Sequence, residues 1–166
     1  MGGFVLATAL NGSDDFYYLC AKVLNLGRIV AIDYGTRRTG VAVTDPGQVI
    51  ASPLETVMTH NLMLFLEHYF NVEKVDTLVV GLPKKMDNTE SESMKDIRYF
   101  VGAFKKRFKD IEVKWIDERF TSKMAAEALV AGGMKKSGRR EKGSIDKVSA
   151  AIILQTFLEQ RNNHTA

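Results

Sequence analysis

Three acidic positions stand where chemistry is expected: Asp33, the pair Asp117-Glu118, and Asp146. Asp33 closes a β-rich run at 28–33, Asp117 and Glu118 follow another at 112–116, and Asp146 opens an apolar helical stretch at 145–160. In an open α/β sheet, ligands bind beyond the carboxyl ends of the strands, which marks the first two positions. Asp146 joins them if its helix packs across the first strand, an approach eased by the small residues Ser149, Ala150 and Ala151. Gathering carboxylates is costly, since two unit charges about 4 Å apart repel by roughly 4 kcal/mol at an effective dielectric near 20. A cation must offset that. His60, His68 and His164 lack ligand spacing and Cys20 stands alone, so the donors are oxygens. Oxygen ligation suits a hard ion, Mg2+ or Mn2+. Two such ions about 3.5 to 4 Å apart activate water and stabilise the leaving oxygen of a phosphodiester.

Each acid also has a plainer reading. Asp33 beside Gly35 is a turn former, Asp146 in a first helical turn complements the helix dipole, and Asp117-Glu118 before Arg119 is a solvated charge group. Their coincidence at one end of one sheet is what favours catalysis.

The basic residues are placed unevenly. Six of them (Lys135, Lys136, Arg139, Arg140, Lys142, Lys147) face two acids between 134 and 147, a local +4 in a chain whose total is +3. That glycine-containing stretch is read as a loop that holds a nucleic-acid backbone, because cationic side chains release condensed counterions on binding phosphate. Arg37, Arg38, Lys84, Lys85 and Arg119 fall at the same expected sheet end and complete a ring around the acids. Aromatic residues for base stacking are scarce there, Tyr34 and Phe120 being the candidates. Backbone contacts therefore dominate, and shape is recognised rather than a base code.

The elements that must position these groups follow from periodicity. Runs at 28–33 and 39–44, separated by Tyr34-Gly35-Thr36-Arg37-Arg38, read as a hairpin. A third antiparallel strand over 48–57 follows Pro46-Gly47, and Pro53 places it at an edge. Leu62, Phe65, Leu66, Tyr69 and Phe70 form one helical stripe, and 77–81 (TLVVG) is an apolar run covered on both faces. A second helix starts after Thr89, capped with Glu92, and buries Met94, Ile97, Val101, Phe104 and Phe108. A strand at 112–116, a third helix over 121–130 stopped by Gly132-Gly133, and a fourth over 145–160 complete the order. The expectation is an α/β fold whose central mixed sheet has five strands, three antiparallel and then two parallel, with helices on both faces.

Four ordered segments resemble one family: residues 31–42 (AIDYGTRRTGVA), 80–83 (VGLP), 117–122 (DERFTS), and 142–146 (KGSID) with Ala150-Ala151. Together they are similar to the YqgF (RuvX-like) family, over about 27–160. The resemblance implies a ribonuclease-H-like fold, kinship with the Holliday-junction resolvase RuvC, and a metal-dependent nuclease acting at the 5' end of the small-subunit ribosomal RNA precursor. By motif, the family's acids carry onto Asp33, Glu118 and Asp146. A strand two places from the first is roughly 9.5 Å away, so the longer Glu118 is preferred, with Asp117 in reserve. Asn88 stands where the family often has glycine, and asparagine tolerates a left-handed turn.

The same residues bound the alternatives. The Asp33-Tyr34-Gly35-Thr36 loop also resembles the phosphate loop of actin-like ATPases, but those close two lobes on a nucleotide and 166 residues hold one. No nucleotide cofactor is expected. The partner is structured precursor rRNA or, alternatively, branched DNA cut by a symmetric dimer; a third reading is RNA binding without cleavage. A lone cysteine and the lack of a membrane-length apolar run predict a reducing, cytoplasmic setting and no membrane partner. The organisation expected is an extension at 1–26, either a short docked helix or upstream of a start near Leu26, a nuclease domain at 27–161 and a polar tail at 162–166. The oligomer is a monomer or homodimer.

Overall fold

In the computed structural model, residues 26–82, 94–117 and 142–163 are described, with side chains of the last segment from Asp146 onward. Strand β1 (Arg28–Tyr34) and strand β2 (Arg38–Thr44) are antiparallel, with Ala31 opposite Ala42 and Asp33 opposite Gly40. Strand β3 (Ala51–Met58) pairs antiparallel with β2 and closes that edge of the sheet. Pro53 does sit at the edge, beside a register shift between Val41 and Ala42, where its missing N–H is tolerated. The strand begins at Ala51 rather than at 48, because Asp45 holds the preceding turn. Its carboxylate accepts the amides of Gly47, Val49 and Ile50 at 2.7 to 2.9 Å.

Strands β4 (Val75–Leu82) and β5 (Glu112–Asp117) run parallel to β1, giving the order β3-β2-β1-β4-β5. The expected sheet, three antiparallel strands followed by two parallel ones, is the one observed. Alternation sends two sets of side chains to opposite faces. Val30, Ile32, Val41, Leu78 and Val80 meet helix α1 (Leu62–Val72) and helix α2 (Met94–Arg107). Ile29, Ala31, Ala42, Val79 and Ile116 meet helix α3 (Lys142–Asn163) through Ala150, Ile153, Leu154 and Leu158. Leu78, Val79 and Val80 are all fully buried, as a strand covered on both faces must be. Burying each such side chain contributes about 1.5–3 kcal/mol.

The helical stripes are largely those expected. Leu62 and Leu66 bury the face of α1, and α2 adds Phe100 to its expected set. Phe108 lies just past the end of α2 and packs its ring 4.8 Å from Phe104 and 5.0 Å from Phe70. One boundary differs: the last helix starts at Lys142, a turn before the expected 145. Gly143 disfavours helix by about 1 kcal/mol against alanine, but burial of one side of a 22-residue helix overrides it. Asp146 consequently lies in the second turn, and the first turn carries no acid. The dipole explanation for this residue is thereby weakened. The Thr89–Glu92 cap, the helix over 121–130, Gly132-Gly133 and Asn88 lie outside the described residues. Among the described residues no helix is long and apolar enough to cross a membrane.

Candidate active site

Asp33 is the penultimate residue of β1 and shares the parity of Ile29 and Ala31, which puts it on the face that α3 covers. Its cross-strand partner is Gly40. A Cβ at Gly40 would overlap the main-chain carbonyl of Asp146 and crowd the amide of Lys147. The absent side chain is therefore what lets α3 press its backbone onto β2 directly beside Asp33. Helix α3 lies chiefly over β2, with β3 and β1 on either side, so the small triplet at Ser149–Ala151 is not the whole explanation of the close approach. A glycine inside an apolar strand marks such a contact, and Gly40 in the run TGVAV carried that signal.

The electrostatics of the pair follow from its enclosure. Burial pushes the Asp33 carboxyl up to about 6 from 3.8, the negative charge of Asp146 pushes the same way, and a hydrogen bond with the Ser149 hydroxyl opposes both. Ser149 lies one turn beyond Asp146 on α3, so the helix delivers both a repelling charge and a stabilising donor. From the sequence Ser149 is notable for its small size; the structure adds its role as a hydrogen-bond donor. Asp146 in turn faces Arg38, whose Nε stands 3.3 Å from Oδ2. That oxygen is buried and accepts no hydrogen bond among the described residues. The contact is thus an ion pair at close range without hydrogen-bond alignment.

Arg38 is the first residue of β2, and the loop before it is well anchored. The Thr59 hydroxyl donates to the Gly35 carbonyl at 2.6 Å, the Thr59 amide to the Arg37 carbonyl at 3.0 Å, and the Thr39 and Thr59 hydroxyls are 3.0 Å apart. Arg37 itself is exposed at the tip. Tyr34 points the other way, its ring 5.5 Å from Phe100 in the core beneath α2, and so is no stacking platform at the acids.

The middle acid is partly resolved by register. Asp117 ends β5 opposite Leu82, with the parity of Val113 and Trp115, which pack on the α1/α2 face. It is on the other side of the sheet from Asp33 and Asp146. The separation assumed for its neighbour holds, since β5 is two places from β1. Glu118, Arg119, Phe120, Lys84, Lys85, Lys135, Lys136, Arg139 and Arg140 lie outside the described residues, and of Lys142 the backbone alone is described, as the first residue of α3. Among the described residues no three acidic, His or Cys side chains come together. A cleft of about 500 Å³ near the amino ends of β1, β4 and β5, lined by Trp115, Phe157 and Arg161 among others, shares no residue with the acid pair.

Two carboxylates, one with its ionisation disfavoured and the other with a buried oxygen that accepts no hydrogen bond among the described residues, form a donor set that fits a hard divalent cation. The family model described as "RuvX: Holliday junction resolvase" matches residues 27–160. The chain belongs to the RuvX family. Its sheet order and helix placement are those of the ribonuclease-H-like fold expected for RuvX proteins. A relative from Christiangramia forsetii is 53% identical over 133 residues, covering 80% of this chain and 98% of its own length. Relatives from Bacteroides fragilis and Bacteroides thetaiotaomicron are 48% and 49% identical over 136 residues, each covered to 99%. All three carry the name "Putative pre-16S rRNA nuclease". Within this RuvX chain, both described acids of the carried-over motif occupy one site, and family membership makes the protein a nuclease by class.

Proposed function

We propose that the protein hydrolyses phosphodiester bonds in the precursor of small-subunit ribosomal RNA with the help of Mg2+ or Mn2+, two ions being the expected complement. The observation that carries this is the meeting of Asp33 and Asp146 on one sheet face, with a buried Asp146 oxygen that has no hydrogen-bond donor among the described residues. Asp33, Asp146 and Glu118 would hold the ions. Divalent cations bound there supply Lewis acidity to the phosphoryl oxygens and lower the pKa of water.

The chain's own residues do the remaining work. Asp33, rigid in β1, presents a carboxylate from the sheet, and Ser149 fixes its orientation and favours its ionised form. Asp146 approaches from above, at a height set by Gly40. Glu118 is preferred to Asp117 because Asp117 takes the opposite face and successive strand residues alternate. Arg37, on an anchored loop, meets substrate phosphate, with the basic residues 135–142 as further contacts.

The relatives' name favours RNA, and the family description favours a branched DNA junction. The test is a side-by-side cleavage assay on a structured rRNA precursor, single-stranded RNA and a four-way DNA junction, with wild type and Asp33→Asn. Magnesium-dependent cutting of the precursor, lost in the variant, is expected. Cutting confined to the junction would transfer the assignment to DNA, and tight RNA binding without turnover in either metal would make the protein a non-catalytic assembly factor.

A further inference from the structure

Arg38, expected from the sequence among the basic residues around the acids, stands against Asp146 in the structure, and that position fits a further role. We propose that Arg38 is an exchangeable counter-ion, paired with Asp146 while the acid site is free of metal and displaced toward substrate phosphate when a divalent cation takes the same oxygen. This rests on the metal-site reading and adds a residue that couples metal loading to substrate.

The geometry supports exchange rather than a fixed bridge. Arg38 Nε lies 3.3 Å from Asp146 Oδ2, yet among the described residues Oδ2 accepts no hydrogen bond, so the contact with Arg38 lacks the aligned donors that lock an arginine to a carboxylate. The Arg38 side chain is 36% exposed against 29% for Asp146, leaving a path to solvent for the guanidinium and a less open position for the carboxylate. Its backbone cannot follow, being paired with Met58 on β3 and fastened through the Thr59 contacts to Gly35 and Arg37. Movement is thus confined to the side chain. The guanidinium remains charged at every working pH, so only a competing cation or a competing anion shifts it.

A cation on Oδ2 and Arg38 at its present distance would repel, and the same site cannot hold both. In the free protein Arg38 offsets the repulsion between Asp33 and Asp146 and weakens divalent binding. A substrate phosphate offers Arg38 another partner, so substrate tightens metal binding, and by reciprocity metal tightens substrate binding.

The test is calorimetric Mn2+ titration of wild type, Arg38→Gln, Arg38→Lys and Asp33→Asn without nucleic acid, with folding checked by circular dichroism. Arg38→Gln is expected to bind Mn2+ about fivefold more tightly, the scale of one partly exposed ion pair, and Arg38→Lys to stay near wild type. Unchanged or weaker binding in Arg38→Gln, with wild-type binding that Asp33→Asn abolishes, overturns the exchange and leaves the metal site standing. Wild type that binds no Mn2+, or binds it as Asp33→Asn does, overturns the metal site and the exchange with it. A second measurement avoids dependence on a folded variant: the Arg38 side-chain Nε resonance of the wild type should move on Mg2+ saturation, and a resonance unmoved at saturation overturns the proposal.

Discussion

Asp33 carries a cost that the proposed metal-binding role would explain. Its folded pKa of about 6 lies above the ordinary 3.8, so between those values the native state binds more protons than the unfolded chain. The resulting stability is fully present below about pH 4 and is lost as pH rises through 6. At about 1.36 kcal/mol per unit, ionised Asp33 costs the metal-free protein about 3 kcal/mol. Asp33→Asn should therefore be more stable than wild type by about 2–3 kcal/mol at pH 8 in EDTA, with the gap closing toward pH 4; urea unfolding at both pH values measures it. The same variant should lose magnesium-dependent cleavage by at least about a hundredfold, a trade of stability for activity. Mg2+ should raise the melting temperature of wild type and leave that of Asp33→Asn unchanged, because only the former gains by ligation. Ser149→Ala removes a donor that favours the ionised form. The acidic limb of its pH–rate profile should move to higher pH, so that activity at pH 6 falls more than activity at pH 8; a uniform loss across pH would assign Ser149 to packing.

Among the elements, the junction between β2 and α3 decides the site. No other described contact brings a helix backbone so close to a strand that a single Cβ cannot be fitted between them, and the strand position involved is opposite Asp33. Gly40→Ala should push α3 off the sheet and separate the two carboxylates. Overpacking of this kind costs about 1–3 kcal/mol, and cleavage should fall far more than stability does. A crystal structure or an Mg2+ titration of the variant checks this directly, since a protein that folds, binds metal normally and cuts normally would show that the close approach is dispensable. The loop between β1 and β2 is a second such device. Thr59, at the start of the short 3-10 turn Thr59–Asn61, clamps the Gly35 and Arg37 carbonyls and so carries the position of Arg37 and Arg38 back to the main core.

Across the whole molecule, the modest +3 charge separates into acids at one sheet end and a basic stretch preceding and entering α3. Backbone recognition by that stretch predicts a steep salt dependence. Replacing Arg139 and Arg140 together with alanine should lower the log–log salt slope of RNA binding by about 1.5 and weaken binding similarly for unrelated sequences. A slope left unchanged would remove these two residues from the interface. Both faces of the sheet are occupied, by α1 and α2 on one side and α3 on the other, and Asp33 and Asp146 meet near the carboxyl end of β1.

Much of this was legible in the chain itself, for a physical reason. Strand and helix periodicity is local, so the three-stranded meander, the buried run in β4 and the stripes of α1 and α2 were readable, and Pro53 alone marked the edge. The acids at strand ends followed from the same reading, and the ordered motifs assigned two that the structure brings together. What the sequence could not state was contact between distant elements. The partnership of Gly40 with the Asp146 backbone, the donation of Ser149 to Asp33, the pairing of Arg38 with Asp146 and the placement of Asp117 opposite Leu82 all join residues whose separation along the chain carries no periodic signal. Residue types and short-range pattern determined which side chains could do chemistry; the packing of α3 across β2 decided which of them meet.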